Sequence, residues 1–179
     1  MEFDWSAHKT QSVSQGEYRC TNDPEIVFST ILGSCVCACI FDAEQKIGGL
    51  NHFLLPGGSE GSQSKERYGA YAMEILINDL LKQGATRAGL TAKLFGGSMM
   101  LQNQENIGEL NSAFAQSYLK SEGIPCVSES LGGRAARRIH FHPASGRARQ
   151  FKVPPNKTIE VSVLEPKPAV AKGNDVSFF

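Results

Sequence analysis

An α+β fold is what the sequence predicts, and three features carry that prediction. Short β-rich runs and two amphipathic helical stretches interleave without a regular strand–helix–strand rhythm, which favours α+β layers over a doubly wound sheet. The run Ser29 to Phe41 opens as a turn-like Leu32-Gly33-Ser34 and continues as a near-continuous apolar segment, the pattern of a strand buried on both faces. The chain has 179 residues, 41% hydrophobic and 20% charged. That is one domain of ordinary globular composition, able to bury a core without metal or disulfide staples.

Taken in order, residues 1–15 show little periodicity and are expected to be mobile or loosely docked. Gly16 to Cys20 reads as a short strand, and Thr21-Asn22-Asp23-Pro24 is turn chemistry. Glu25 to Ser29 is a β-rich run leading into the Cys35 loop. The apolar segment after Ser34 and the run Ile47 to Leu55 flank a short turn, Asp42 to Lys46, so the two are expected to pair as a hairpin. Pro56 to Lys65 is a Gly/Ser connection with no apolar anchor, either a slack linker or a lid over the residues beside it.

Arg67 to Gln83 is predicted as a helix. Tyr68, Tyr71, Ala72, Ile75, Leu76 and Leu80 recur at helical spacing, and Glu74, Asn78 and Lys82 form the wet stripe. Gly84 supplies the stop, with Lys82 favourably placed in the last turn. Thr86 to Phe95 reads as a strand ending at Gly96-Gly97. Gly108 to Glu122 is a second helix with Leu110, Phe114 and Tyr118 on one stripe, ended by Gly123 and Pro125. Strands are expected over Ile124–Ser128, Arg138–His142, Ala148–Val153 and Ile159–Leu164. Glu165 to Phe179 mixes Pro, Lys, Gly and Asn, as a solvated tail does. The organisation predicted is thus a mobile segment 1–15, a domain over 16–164 and a flexible tail over 165–179.

Formal net charge is zero, so the chain lacks the electrostatic footprint of a nucleic-acid binder. Met1 to Ser14 has no signal-peptide pattern and no apolar run reaches membrane-span length, so a cytoplasmic protein without membrane insertion is expected. The cysteines number five, an odd count with no disulfide framework, which suits a reducing compartment.

Cys35, Cys37 and Cys39 alternate along one predicted strand and should share a face. Cys37 and Cys39 read as small apolar core residues. Cys35 differs, because it follows a Gly-Ser turn and its predicted partner strand carries His52. A thiol near pKa 8.5 is only a few per cent thiolate at neutral pH, and an adjacent imidazole stabilises that form. The pair has the composition of a nucleophile and its base. Backbone N–H groups around Gly33, Ser34 and Cys35 are candidate oxyanion donors. Gly96-Gly97-Ser98 reads either as a substrate-lining loop or as a tight turn. His140 and His142 lie on one face of a strand, yet no common zinc spacing completes them, and no metal site is assigned. Glu66 and Glu74 read as solvated surface. There is no Walker-type loop and no dinucleotide glycine fingerprint.

Several segments carry a family resemblance. Leu32-Gly33-Ser34-Cys35-Val36, Asn51-His52-Phe53-Leu54-Leu55-Pro56, Arg67-Tyr68-Gly69, Lys93-Leu94-Phe95-Gly96-Gly97, Ile107-Gly108-Glu109-Leu110-Asn111 and Phe141-His142-Pro143 resemble, in the same order, the chemoreceptor glutamine deamidases of bacterial chemotaxis, the CheD family. The resemblance implies a three-layer α/β/β sandwich with mixed sheets and two main helices on one face. It implies that Cys35 and His52 are the catalytic pair, with a threonine shortly before the cysteine orienting the imidazole. Thr30 is favoured for that role, and Ser29 is the other candidate.

The activity implied is hydrolysis of glutamine side chains to glutamate in methyl-accepting chemotaxis receptors through a cysteine thioester, without cofactor. Some members are also implied to hydrolyse receptor methyl esters or to bind a CheC-type phosphatase. Three other readings stay open: a non-catalytic chemotaxis adaptor, a cysteine protease or amidase with another substrate, and a metal-binding regulatory module.

Overall fold

The structure is a computed structural model, and it describes residues 2–57, 61–100, 106–154 and 176–179. Ten strands and two long helices follow one another as β1 (Lys9–Ser12), β2 (Tyr18–Thr21), β3 (Ile26–Leu32), β4 (Val36–Asp42), β5 (Ile47–Phe53), α1 (Ser62–Lys82), β6 (Thr91–Gly96), α2 (Ile107–Ser121), β7 (Cys126–Leu131), β8 (Ala136–His142), β9 (Arg147–Val153) and β10 (Val176–Phe178). They build two five-stranded mixed sheets, one ordered β1-β3-β8-β9-β10 and the other β2-β5-β4-β6-β7. Parallel pairs occur in each, β1 with β3 and β6 with β7.

Alternation along β4 explains the layering. Val36, Ala38 and Ile40 pack with Met73, Leu76, Ile77 and Leu80 of α1 and with Ala115 and Leu119 of α2. Cys35, Cys37, Cys39 and Phe41 pack the other way, against Phe28 and Leu32 of β3 and Ile139 and Phe141 of β8. The middle sheet is therefore apolar on both faces, and the layers run helices, sheet, sheet. Each fully buried Leu, Ile or Met in these cores contributes roughly 1.5–3 kcal/mol. The expected hairpin forms, with β4 and β5 in antiparallel register from Val36↔Phe53 to Asp42↔Ile47.

The run Ser29 to Phe41 departs from its expected form. Its two halves lie in different sheets, because the chain crosses between layers at Gly33–Cys35. The first helix begins a turn earlier than predicted, at Ser62, and buries Gly69, Met73, Leu76, Ile77 and Leu80. Tyr68 and Tyr71 lie outside that stripe, with Tyr71 63% exposed. Gly69 takes the buried position because the Phe114 ring of α2 lies where a Cβ would project, 2.5 Å from it. The short 3₁₀ turn Arg87–Gly89 delays β6 to Thr91.

The described residues at the two ends pair with the first sheet. Lys9–Ser12 pairs with Ile26–Ser29, and Phe3 and Trp5 pack over His142 and His140. Val176–Phe178 pairs with β9. The Lys93 ammonium donates to the Phe179 carbonyl at 2.6 Å, and the Phe179 ring meets Phe95 edge-on. The strand predicted at Ile159–Leu164 and the start of the predicted tail lie outside the described residues.

The histidines of β8 have structural partners. His142 pairs its ring nitrogens with Ser145 Oγ and the Pro24 carbonyl. His140 Nδ1 accepts from the Arg149 guanidinium at 3.0 and 3.2 Å. Burial, then the nearby Arg149 and Arg138 charges, push the His140 pKa down from 6.5 to about 4. His140 thus stays neutral in the folded protein while the unfolded chain takes up a proton below 6.5, so its stabilising contribution is lost as pH falls through that window. The urea midpoint is expected to fall between pH 6.5 and 4, and His140→Phe to flatten that fall, in parallel denaturation series of wild type and variant.

Candidate active site

The register of the β4–β5 hairpin sets the first geometric fact. Cys37 lies directly opposite His52, and directly opposed residues point to one face of a sheet. Cys35, two positions earlier and just before β4, belongs to the same inter-sheet cluster as Cys37. Thiol and imidazole share the space between the sheets. Cys37 and Cys39 are fully buried core residues.

β3 brings the third group from the facing sheet. The Thr30 hydroxyl donates to the Val13 carbonyl at 2.7 Å, and Thr30 Oγ1 lies 2.8 Å from His52 Nδ1. A hydroxyl has one proton, and it is committed to Val13. Nδ1 must therefore carry the hydrogen and donate to Thr30, with the Val13 carbonyl a weaker second acceptor at 3.5 Å. That tautomer leaves a lone pair on Nε2. Among the described residues this buried atom has no hydrogen-bond partner. Burial holds the His52 pKa below 6.5, against smaller upward pulls from Val13 and Glu17, so the ring is a neutral, unoccupied base. Ser29 lies on β3 opposite His140, and its side chain has no contact with His52 among the described hydrogen bonds.

Cys35 is not hydrogen-bonded to His52 in this state. Its thiol donates to Gln15 Oε1 at 3.5 Å. Burial lifts its pKa to about 11, with its own amide N–H pulling the other way. The thiolate stabilisation expected from an adjacent imidazole is absent at rest, because the sulfur faces an amide oxygen.

Gly96 and Gly97 brace the cysteine. Gly97 N–H donates to the Cys35 carbonyl at 2.8 Å and Ser98 N–H to the Gly33 carbonyl at 2.9 Å. The Gly97 and Ser98 amides thus hold the turn that carries Cys35. Both glycines have positive φ, 112° and 66°. A Cβ on Gly96 would stand 2.1 Å from the Cys35 carbonyl oxygen, and one on Gly97 would stand 2.0 Å from Ser112 Oγ. Met100 covers Gly33. Among the described residues, neither the Ser34 nor the Cys35 amide donates to another backbone carbonyl outside the strands, which keeps both as candidate oxyanion donors.

Two positioning residues escaped the sequence reading. Asn111 of α2, fully buried, donates to the Ser34 carbonyl at 2.8 Å and accepts from Leu55 N–H at 2.9 Å. It ties the cysteine turn to the end of the histidine strand. Its signal was available, since Gly108, Asn111, Ala115 and Leu119 form the buried stripe of α2 and a polar residue on such a stripe needs partners. Arg137 of β8 is also buried, and its guanidinium donates to Ser98 Oγ at 3.0 Å and to the Ser130 and Gly132 carbonyls. Among the described residues no group of three or more His, Cys, Asp or Glu side chains is arranged to hold a metal ion.

Asn111→Ala leaves the buried Leu55 N–H unpaired, at about 1–3 kcal/mol, and removes the donor to the half-buried Ser34 carbonyl. Gly96→Ala forces a strained φ, about 1–3 kcal/mol before the clash is counted. Chemical denaturation is expected to register a lower midpoint in both variants, Gly96→Ala being the more affected.

Comparison of the sequence with known proteins points to one family. A family model described as CheD chemotactic sensory transduction matches residues 54–151. A Caulobacter vibrioides protein named "Probable chemoreceptor glutamine deamidase CheD" is 50% identical over 172 residues, 93% of this chain and 91% of that one. A protein of the same name from Agrobacterium fabrum is 47% identical over 178 residues, 97% of this chain and 98% of its own. Among solved structures, Neisseria meningitidis protein NMB0706 superposes with a TM-score of 0.49 at 10% identity, covering 70% of this chain and 64% of that one. With a family match over more than half its length and relatives at this identity along nearly all of it, the chain belongs to the CheD family.

Proposed function

We propose that this chain hydrolyses the carboxamide of glutamine side chains in chemotaxis receptors, with Cys35 as nucleophile, His52 as base and acid, and Thr30 as the group that orients the imidazole. The names of its relatives support the substrate class. The observation that carries the chemistry is the His52 ring, held by Thr30 with a bare Nε2 in the same inter-sheet space as Cys35.

The sequence of steps follows from those groups. The Cys35 side chain turns from Gln15 towards Nε2, which takes the thiol proton as sulfur attacks the amide carbon. The oxyanion accepts hydrogen bonds from the Ser34 and Cys35 amides. His52, now protonated, gives its proton to the departing amine, and ammonia leaves a thioester. His52 then takes a proton from water, which attacks the thioester carbon and frees the thiol and a glutamate. One amide and one water become one carboxylate and one ammonium. A receptor methyl ester would follow the same course with methanol leaving. The new carboxylate changes charge pairing along a receptor helix. No helix of the described residues is long and apolar enough to cross a membrane, which suits action on a receptor's cytoplasmic part. A CheC-type phosphatase is the second partner that family membership suggests.

Mass spectrometry of a receptor cytoplasmic fragment tests the reading. Wild type is expected to convert glutamines to glutamates, Cys35→Ala to abolish conversion and His52→Ala to slow it by about 10²–10⁴-fold. Thr30→Val removes the acceptor for Nδ1–H and is expected to cost about tenfold or more, with Thr30→Ser retaining most activity. Conversion by Cys35→Ala at the wild-type rate would remove the thiol from the mechanism and leave an adaptor or another catalyst.

The pH dependence has a definite sign. His52 must be neutral to take the thiol proton, so kcat/KM rises with pH through a midpoint below 6.5. Burial places Cys35 at about 11, so no second rise is expected near about 8.5, where a free thiol ionises. A kcat/KM profile with its main rise there would show an already exposed thiolate instead.

A further inference from the structure

One contact of Cys35 is made to a residue outside the proposed catalytic set. The group that accepts the Cys35 thiol proton is the side-chain carbonyl of a glutamine belonging to the same chain, Gln15, at 3.5 Å. We propose that Gln15 occupies the subsite that receives the substrate's primary carboxamide, so that the chain carries its own competing ligand. The proposal rests on the deamidase reading above for the identity of the competing substrate.

The placement of Gln15 is built into the fold rather than left to a loose tail. Val13, buried, gives its N–H to the Ser29 carbonyl at 2.8 Å and its carbonyl to Thr30. After Gln15 the backbone is caught again, with Gly16 N–H donating to the His52 carbonyl at 2.8 Å and His52 N–H to the Glu17 carbonyl at 3.0 Å. Between these anchors the turn closes on itself, Glu17 N–H donating to the Ser14 carbonyl and Ser14 N–H to the Glu17 carboxylate. Gln15 therefore stands on a turn fastened to the backbone of both Thr30's strand and His52. Its residue remains largely solvent-exposed while its amide oxygen meets a sulfur that is 8% exposed at residue level. A receptor glutamine would come in from the same solvent side with the same carbonyl acceptor and NH₂ donors.

The contact is a ground-state hydrogen bond and not an attack geometry. The sulfur is hydrogen-bonded to the amide oxygen, and the amide carbon lies behind that oxygen. An internal ligand so held shields the thiol and must be displaced by substrate, and displacement also frees the sulfur to turn towards His52.

The test uses the full-length protein, with alkylation of Cys35 by iodoacetamide followed on its own peptide by mass spectrometry, since Cys126 is exposed and would also react. Gln15→Ala is expected to quicken Cys35 alkylation and raise kcat/KM on a receptor fragment, each by about three- to tenfold, the equivalent of one neutral hydrogen bond. A small primary carboxamide, N-acetylglutamine methylamide, is expected to slow alkylation of Cys35 in Gln15→Ala more than in wild type. An unchanged alkylation rate overturns the proposal. So does faster alkylation that the carboxamide fails to slow, which would make Gln15 a mere cover. Faster, carboxamide-sensitive alkylation with no receptor conversion by either protein would sink the deamidase reading and leave the subsite standing. Receptor conversion at equal kcat/KM with equal alkylation would do the reverse.

Discussion

The site depends on one hydrogen bond between two sheets, from His52 Nδ1–H to Thr30 Oγ1. It has a direction because the Thr30 proton is already committed to the Val13 carbonyl. A three-member chain, backbone carbonyl to hydroxyl to imidazole, thereby decides which ring nitrogen is basic. A neutral hydroxyl does this without placing a buried charge beside the ring, and so avoids the several kcal/mol that an ion costs on leaving water. Burial keeps the imidazole pKa low and the hydroxyl adds no charge to raise it, as the proposed role of His52 requires.

That bond exists only because the chain changes layers at Gly33–Cys35. β3 and β4 are adjacent in sequence but belong to facing sheets, so Thr30 looks across at His52 while Cys35 lies near it on the same side. A crossing turn of so few residues has little to hold it in place by itself. Asn111 takes its Ser34 carbonyl, Gly97 takes its Cys35 carbonyl and Ser98 takes its Gly33 carbonyl. The last two come from the end of β6, which Arg137 in turn ties to β8 through Ser98 Oγ. The glycines at 96 and 97 are needed for close approach at positive φ, and this reason is independent of any contact with substrate.

Much of this was legible in the sequence, and the rest was hidden for identifiable reasons. Alternation along Cys35, Cys37 and Cys39 announced a shared face, and the hairpin followed from two apolar runs about a short turn. Which sheet each half of Ser29–Phe41 would join was not legible, since a turn sequence says nothing of layer. β1 escaped because all four of its residues are exposed, so an edge strand held by backbone bonds shows no hydrophobic period. β10 is exposed in the same way. Tyr68 and Tyr71 misled because helical spacing sets a stripe's period but not its phase. Phase was set by Gly69, whose missing side chain admits Phe114. Thr30 could be named from resemblance, but its partner Val13 lay in a stretch that looked structureless.

The N-terminal segment therefore does more than finish a sheet. Through Val13 it determines the proton inventory of Thr30, and so the tautomer of His52. Two residues later, at Gln15, it contacts the sulfur. Phe3 and Trp5 fasten its beginning to the outer face of β8 and β9 through His142, His140 and Arg149. Detachment of the whole segment from β3 would remove the acceptor for Thr30 and the hydrogen-bond partner of the Cys35 sulfur together. The orienting and shielding of the site are thus mechanically joined in a single stretch of chain. A ligand that lifts Gln15 while leaving Val13 in place would expose the Cys35 sulfur and keep the His52 tautomer set. The strand pairing through Ser12↔Ser29 and the Val13 amide bond to Ser29 make that division physically available: Val13 is held by the sheet, whereas among the described residues the side chain of Gln15 has one hydrogen bond, the weak contact to sulfur.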